Sequence, residues 1–288
     1  MEQHRQISRL FSWIFLALTL LGVILRTVCM LGFFDADVGY FKRGILPLLS
    51  DGLYFIAVVT VIVCTARIPK DTLPTELHTP GRIAPTLLLG LTLGGFTVCN
   101  LLLPAQLAGV SGKATMIANF LALPAAFYFV CSARKNGRYP DWLSLLGFLP
   151  VLWCIAAVAD TYFDPYVTMN SPVKVAIQLG FLGLMLVLLA ELRFRVGKAL
   201  PRYSVAFLAI GSYACLVGSV PQLCAFAKSY FGKGSVQPVS PRYALYAAIL
   251  LVAGIYGLYL LLRYTAFPPQ DAEEASAIIP ETDSTQAQ

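Results

Sequence analysis

The amino-acid sequence predicts an all-α, polytopic membrane helix bundle of about eight transmembrane helices, with both termini cytoplasmic. Three observations carry that prediction. Of 288 residues, 58% are hydrophobic and only 12% charged, with a mean hydropathy of +0.72, which is outside the range of soluble domains. The apolar residues gather into eight runs, each close to the ~20 residues a helix needs to cross a bilayer. Strands this long and this apolar would leave backbone groups unpaired in lipid, so the runs are helical.

The first run, near 10–31, continues past Arg26 without a small-residue cleavage site and reads as an uncleaved signal anchor. The second, 45–66, and the fourth, 113–133, end alike, in Cys64-Thr65-Ala66-Arg67 and Cys131-Ser132-Ala133-Arg134. That echo is either an internal repeat of the kind transporters use or two ordinary basic helix exits. The third run, 84–104, carries Gly90-Leu-Thr-Leu-Gly94, a close-approach pattern that serves inside a monomer as easily as between subunits. Pro124, Pro150 and Pro221 interrupt the fourth, fifth (142–160) and seventh (203–227) runs and free the carbonyls of Phe120, Leu146 and Val217. Along the seventh, Ser204, Gly211, Cys215, Gly218 and Gln222 share one face, for close packing or for lining a pathway. The eighth run spans 243–263.

The sixth run is the most fully punctuated. Ser171-Pro172 reads as a helix start, a hydroxyl cap followed by a residue whose fixed φ suits the first turn. Apolar residues then run to Ala190, broken only by Lys174 and Gln178, and Glu191, Arg193, Arg195 and Lys198 mark the exit into water. The run Met169-Asn170-Ser171-Pro172-Val-Lys174, with the apolar helix and Glu191-Leu-Arg193 after it, resembles a segment of uncharacterised multi-pass membrane proteins of anaerobic Gram-positive bacteria. The resemblance covers mainly residues 161–202. It implies an integral membrane protein and brings no activity, cofactor or site residues; the bundle as a whole is expected in the plasma membrane.

Charge sets the orientation. Thirteen Lys and Arg lie on the side that includes both termini (Arg5, Arg9, Arg67, Lys70, Arg82, Arg134, Lys135, Arg138, Arg193, Arg195, Lys198, Arg202, Arg263). Seven lie opposite (Lys42, Arg43, Lys113, Lys174, Lys228, Lys233, Arg242). The excess places the termini in the cytoplasm. Residues 1–266 form one transmembrane domain, and 267–288 an acidic tail whose composition predicts disorder. The net charge is +6, with the positive charges set between apolar segments, where a membrane protein needs them; the lipid bilayer, not nucleic acid, is the implied partner.

Polar groups inside the runs are the candidate site. Arg26 and Asp51 lie at matched depth in consecutive helices, as an ion pair or as a snorkelling arginine beside a frayed helix start. Asn100, Asn119, Gln178 and Gln222 fall in the outer halves of their helices, and Lys174 opens the sixth. Asp160 and Asp164 lie in the loop just above. Together these residues describe an outward-facing polar vestibule, or else hydrogen-bonded helix packing at that depth. Lys174 sits at the positive end of its helix dipole and calls for a nearby anion, with Asp160 and Asp164 closest in sequence.

The chemistry of known enzymes and metal sites is sparse here. The seven cysteines form no Cys-x-x-Cys pair and read as small core residues, and His4 and His78 are far apart. Gly112-Lys113-Ala114 lacks the rest of a phosphate loop, and Asp35-Ala-Asp37-Val-Gly39 lacks further calcium ligands. No cofactor is implied. Three function classes fit. One is binding or passing a small solute through the vestibule. Another is a non-transporting scaffold or sensor acting through a membrane protein partner or a second copy. The third is an enzyme on lipid-linked substrates, against which the scarcity of catalytic residues counts.

Overall fold

The computed structural model describes residues 2–35, 37–68, 83–102, 113–133, 139–231 and 239–265, without the side chains of 2–9. The acidic tail, most of the proline-rich 68–85 segment, Gly112, His78 and Arg134–Arg138 lie outside the described residues. Within them the chain runs α1 (Glu2–Gly32), β1 (Phe34–Asp35), β2 (Tyr40–Phe41), α2 (Ile45–Ala66), α3 (Ile83–Leu102), α4 (Lys113–Ala133), α5 (Asp141–Leu146), α6 (Phe148–Tyr162), α7 (Pro172–Val196), α8 (Pro201–Phe231) and α9 (Pro241–Thr265). Among the described residues, eight segments are long and apolar enough to span a membrane, with α5 and α6 together making one. The fold is an all-α helical bundle, as the sequence predicts.

The break between α5 and α6 has a visible cause. Pro150 has no N–H to donate, which frees the Leu146 carbonyl, and the helix parts there at Gly147. At the far end of α7, Gly197 adopts φ 71° and closes the helix by donating to Phe194 O (3.2 Å) while Lys198 N–H reaches Arg193 O (3.0 Å). The start of α7 differs in detail from the expectation. Pro172 takes the first helical position, but the Ser171 hydroxyl makes no capping hydrogen bond.

Three helices form the interior. In the most apolar stretches of α7, α8 and α9, 56–67% of residues are buried, against 28–39% in the other spans. Glycines allow that closeness. A Cβ on Gly211 would stand 2.5 Å from Gly183 O, and one on Gly218 would stand 2.6 Å from Ala176 O. The Cys215 thiol reaches Gly180 O at 3.3 Å. The small-residue face of α8 is therefore a packing surface against α7. Gly90 of the G-x-x-x-G pattern likewise faces α4 within the monomer, where an added Cβ would meet Ala126 O at 3.2 Å. Around this core, α1 and α2 pack on α8, α3 packs on α9 and α4, and α6 bridges α4 to α7.

The bundle has two ends. At one, the Ser12 and Thr265 hydroxyls hydrogen-bond, so the N-terminal part of α1 meets the end of α9. At the other lies the β1–β2 hairpin, which the sequence did not announce. Its turn places Asp35 O on Gly39 N–H (2.8 Å), and the Tyr40 hydroxyl donates to Met169 O across the face. Asp35 and Asp37 thus belong to a turn; among the described residues no group of three His, Cys, Asp or Glu gathers around a point.

Candidate functional site

The hairpin end holds a cluster of charge sealed inside the protein. Asp160, two residues from the end of α6, is ion-paired with Arg242, the second residue of α9, and their side chains are 0% and 2% exposed. Thr115 of α4 donates to Asp160 Oδ1 (2.7 Å) and accepts from Arg242 Nη2 (2.9 Å). Tyr246, one turn after Arg242, donates to Asp160 Oδ2 (2.6 Å). Helix dipoles explain why the pair is needed. A carboxylate at a helix C-terminus and a guanidinium at an N-terminus are each on the unfavourable end, and each neutralises the other's misplacement. The sequence places Asp160 in the loop above the fifth span and Arg242 among the loop cations of the same side. Both are instead inside the bundle, because the helices extend to Tyr162 and back to Pro241.

Beneath the cluster lies an aromatic floor. Trp153 and Asp160 are seven residues apart and share a face of α6, with Ala156 and Ala157 between them. The Tyr246 ring stacks on Phe96 (4.9 Å between centroids) and meets Phe181 edge-on (5.0 Å). Trp153 closes the group against Phe181 (5.4 Å) and Phe96 (6.1 Å). All four rings are buried, and the Trp153 indole N–H has no hydrogen-bond partner among the described residues.

A second charged cluster sits near the opposite end. Tyr256 of α9 donates to Glu191 Oε1 (2.7 Å), Arg195 Nε stands 3.9 Å from the same oxygen, and the Arg195 guanidinium lies over the Tyr139 ring at 5.5 Å. Glu191 and Arg195 are 2% and 1% exposed. This corrects the expectation that both mark an exit into water. α7 continues to Val196, and α9 covers the last turns on the inward face.

The residues proposed from sequence are distributed over several helix interfaces. Arg26 Nη1 contacts Asp51 Oδ1 at 2.6 Å and Ser50 Oγ at 3.4 Å, and its guanidinium lies 4.7 Å above the Phe41 ring of the hairpin. Arg26 is buried, whereas the Asp51 side chain is 64% exposed. Asn100 Nδ2 donates to Asn119 Oδ1 (2.9 Å) and ties α3 to α4. Lys174 is buried and donates to the backbone carbonyl of Asp164 (3.0 Å). Gln222 is buried with its Oε1 unpartnered among the described residues, and Gln178 is half-buried on α7. Arg26 pairs with Asp51 and Asn100 with Asn119. Asp164, between α6 and α7, has its carboxyl pushed above the usual carboxylate range by burial, against the opposing pull of the Tyr166 backbone N–H, Tyr243 and Lys174.

The sequence did carry a signal for the two sealed clusters: ionisable residues within one or two turns of an apolar run's end. Read alone, such residues look interfacial. All seven cysteines are free thiols. No family model, curated protein or solved structure matches the chain. Fold and interior together define a multi-pass membrane protein with ion pairs buried toward both ends of its central helices.

Proposed function

We propose that this chain binds or passes a small solute across a bacterial plasma membrane, with both termini cytoplasmic, and that the Asp160–Arg242 cluster closes the outer side. The kinship with multi-pass proteins of anaerobic Gram-positive bacteria belongs to the same proposal. One observation carries the reading: a second sealed charge cluster, Glu191–Arg195, occupies the other end of the same helix set. Ionisable groups inside a membrane are expensive and persist where a pathway or relay uses them. Alternating access needs a closure on each side of a central site. The two clusters meet α9 at Tyr246 and Tyr256, ten residues or about 15 Å apart along the helix.

A scaffold or sensor is the second reading, favoured by the Arg26–Asp51 ion pair and the Asn100–Asn119 hydrogen bond, which join α1 to α2 and α3 to α4 without a solute between them. A cysteine-accessibility experiment separates the two. In a background lacking the seven native cysteines, Ala247→Cys and Ala253→Cys place thiols between the clusters. Both should resist an impermeant thiol reagent, and the paired change Asp160→Asn with Arg242→Gln should open Ala247→Cys to labelling from the hairpin side. Thiols that stay closed in a folded double variant would leave the scaffold reading standing.

A further inference from the structure

We infer that the hairpin end carries a binding groove for one anionic phospholipid between α4 and α6. Lys113, Ala114 and Ile117 of α4 and Ala156, Ala159 and Phe163 at the end of the fifth span enclose an apolar groove of about 390 Å³. Three alanines form its floor, which gives it depth, and Ile117 and Phe163, both largely exposed, form its walls. The depth of its mouth is marked by exposed Tyr162 and Tyr166, residues of the kind that collect at the headgroup level. The groove descends from there into the hydrocarbon region, where only an acyl chain is available to fill it.

Charge selects the headgroup. Lys113 lines the mouth, is exposed, and has no anionic partner among the described residues. Its ammonium adds to the positive end of the α4 dipole. A lipid with a net negative headgroup satisfies both, whereas a zwitterionic one brings its own cation to the same place. The floor residues Ala114 and Ala159 directly precede Thr115 and Asp160, whose 2.7 Å hydrogen bond joins α4 to α6. A chain seated in the groove therefore braces the two helices that hold the buried ion pair. That brace acts whether or not the protein moves a solute.

The test uses the full chain in detergent micelles, with phosphatidylglycerol or phosphatidylethanolamine added, read by thermal shift and by lipid-retaining mass spectrometry. The native protein should bind phosphatidylglycerol in preference and melt at a higher temperature with it. Lys113→Gln should weaken phosphatidylglycerol binding about fivefold and leave phosphatidylethanolamine unchanged. Ala159→Phe, which fills the groove, should abolish the bound lipid of either kind. Lys42→Gln, at the hairpin on the α1–α2 side, should keep the preference. Equal binding of both lipids by the native protein would overturn the inference, as would a preference that survives Lys113→Gln or one that is lost equally in Lys42→Gln. Lys113 is an exposed surface residue, so its variant keeps the test decisive even where Ala159→Phe does not fold.

Discussion

Arg242 and Asp160 form an ion pair that solvent does not reach, each at the end of its helix where the dipole opposes its own charge. Three helices meet at this pair, since Thr115 joins it from α4.

Breaking that pair from one side strands the other charge. Asp160→Asn or Arg242→Gln should each cost about 3–5 kcal/mol, and the double change should cost clearly less than their sum. Thermal unfolding of the purified protein in detergent, arranged as a double-mutant cycle, measures the coupling. Additive losses would show that the two groups do not depend on one another.

The Arg26–Asp51 pair should behave differently, because water reaches Asp51. Asp51→Ala should cost less than about 1 kcal/mol, and the loss should shrink with added salt. Arg26→Met should cost more, about 1–3 kcal/mol, since the buried guanidinium also contacts Ser50 and the Phe41 ring. Melting at low and high ionic strength checks both.

Glycines should divide by what surrounds them. Gly211→Ala would press a methyl group onto Gly183 O and should destabilise by about 1–3 kcal/mol. Gly94→Ala meets nothing within 4 Å and should be neutral or stabilising by up to about 1 kcal/mol. Equal melting temperatures for the two variants would contradict the α7–α8 contact.

Asp164 gives a pH dependence of defined sign. Its carboxyl is raised by burial, so the folded protein holds the proton more tightly than the unfolded chain. Its contribution to stability is complete below the usual carboxylate range and is lost as pH rises through the elevated folded value. Asp164→Asn, neutral throughout, should therefore gain in melting temperature relative to the native protein between acid and neutral pH. A difference that stays flat over that interval would refute the assignment.

Orientation is open to a direct check. Reporter fusions after Arg138 and after Lys233 should report opposite sides of the membrane, with the first cytoplasmic.

What the sequence determined by itself was the set of spans. The runs at 45–66 and 113–133 coincide with α2 and α4 residue for residue, the first run starts with the apolar span Leu10–Gly32 although α1 itself begins at Glu2, and the rest differ by a few residues at their ends. The bilayer imposes that legibility, since each crossing must be apolar over its whole length whatever its neighbours are. The Arg26–Asp51 contact was legible for a similar reason, because a short connection forces consecutive helices to be antiparallel neighbours at matched depth. Only the tertiary structure decided the partners of Asp160, Arg242, Glu191 and Arg195. Asp160 and Arg242 are separated by two further spans, and nothing local to either residue says that α6 and α9 converge there. A charge near a helix end looks the same in sequence whether it faces headgroups or a neighbouring helix. The difference lies in which helices stand beside it, and that is set by side-chain packing across the bundle, above all by the glycine contacts that draw α7, α8 and α9 together.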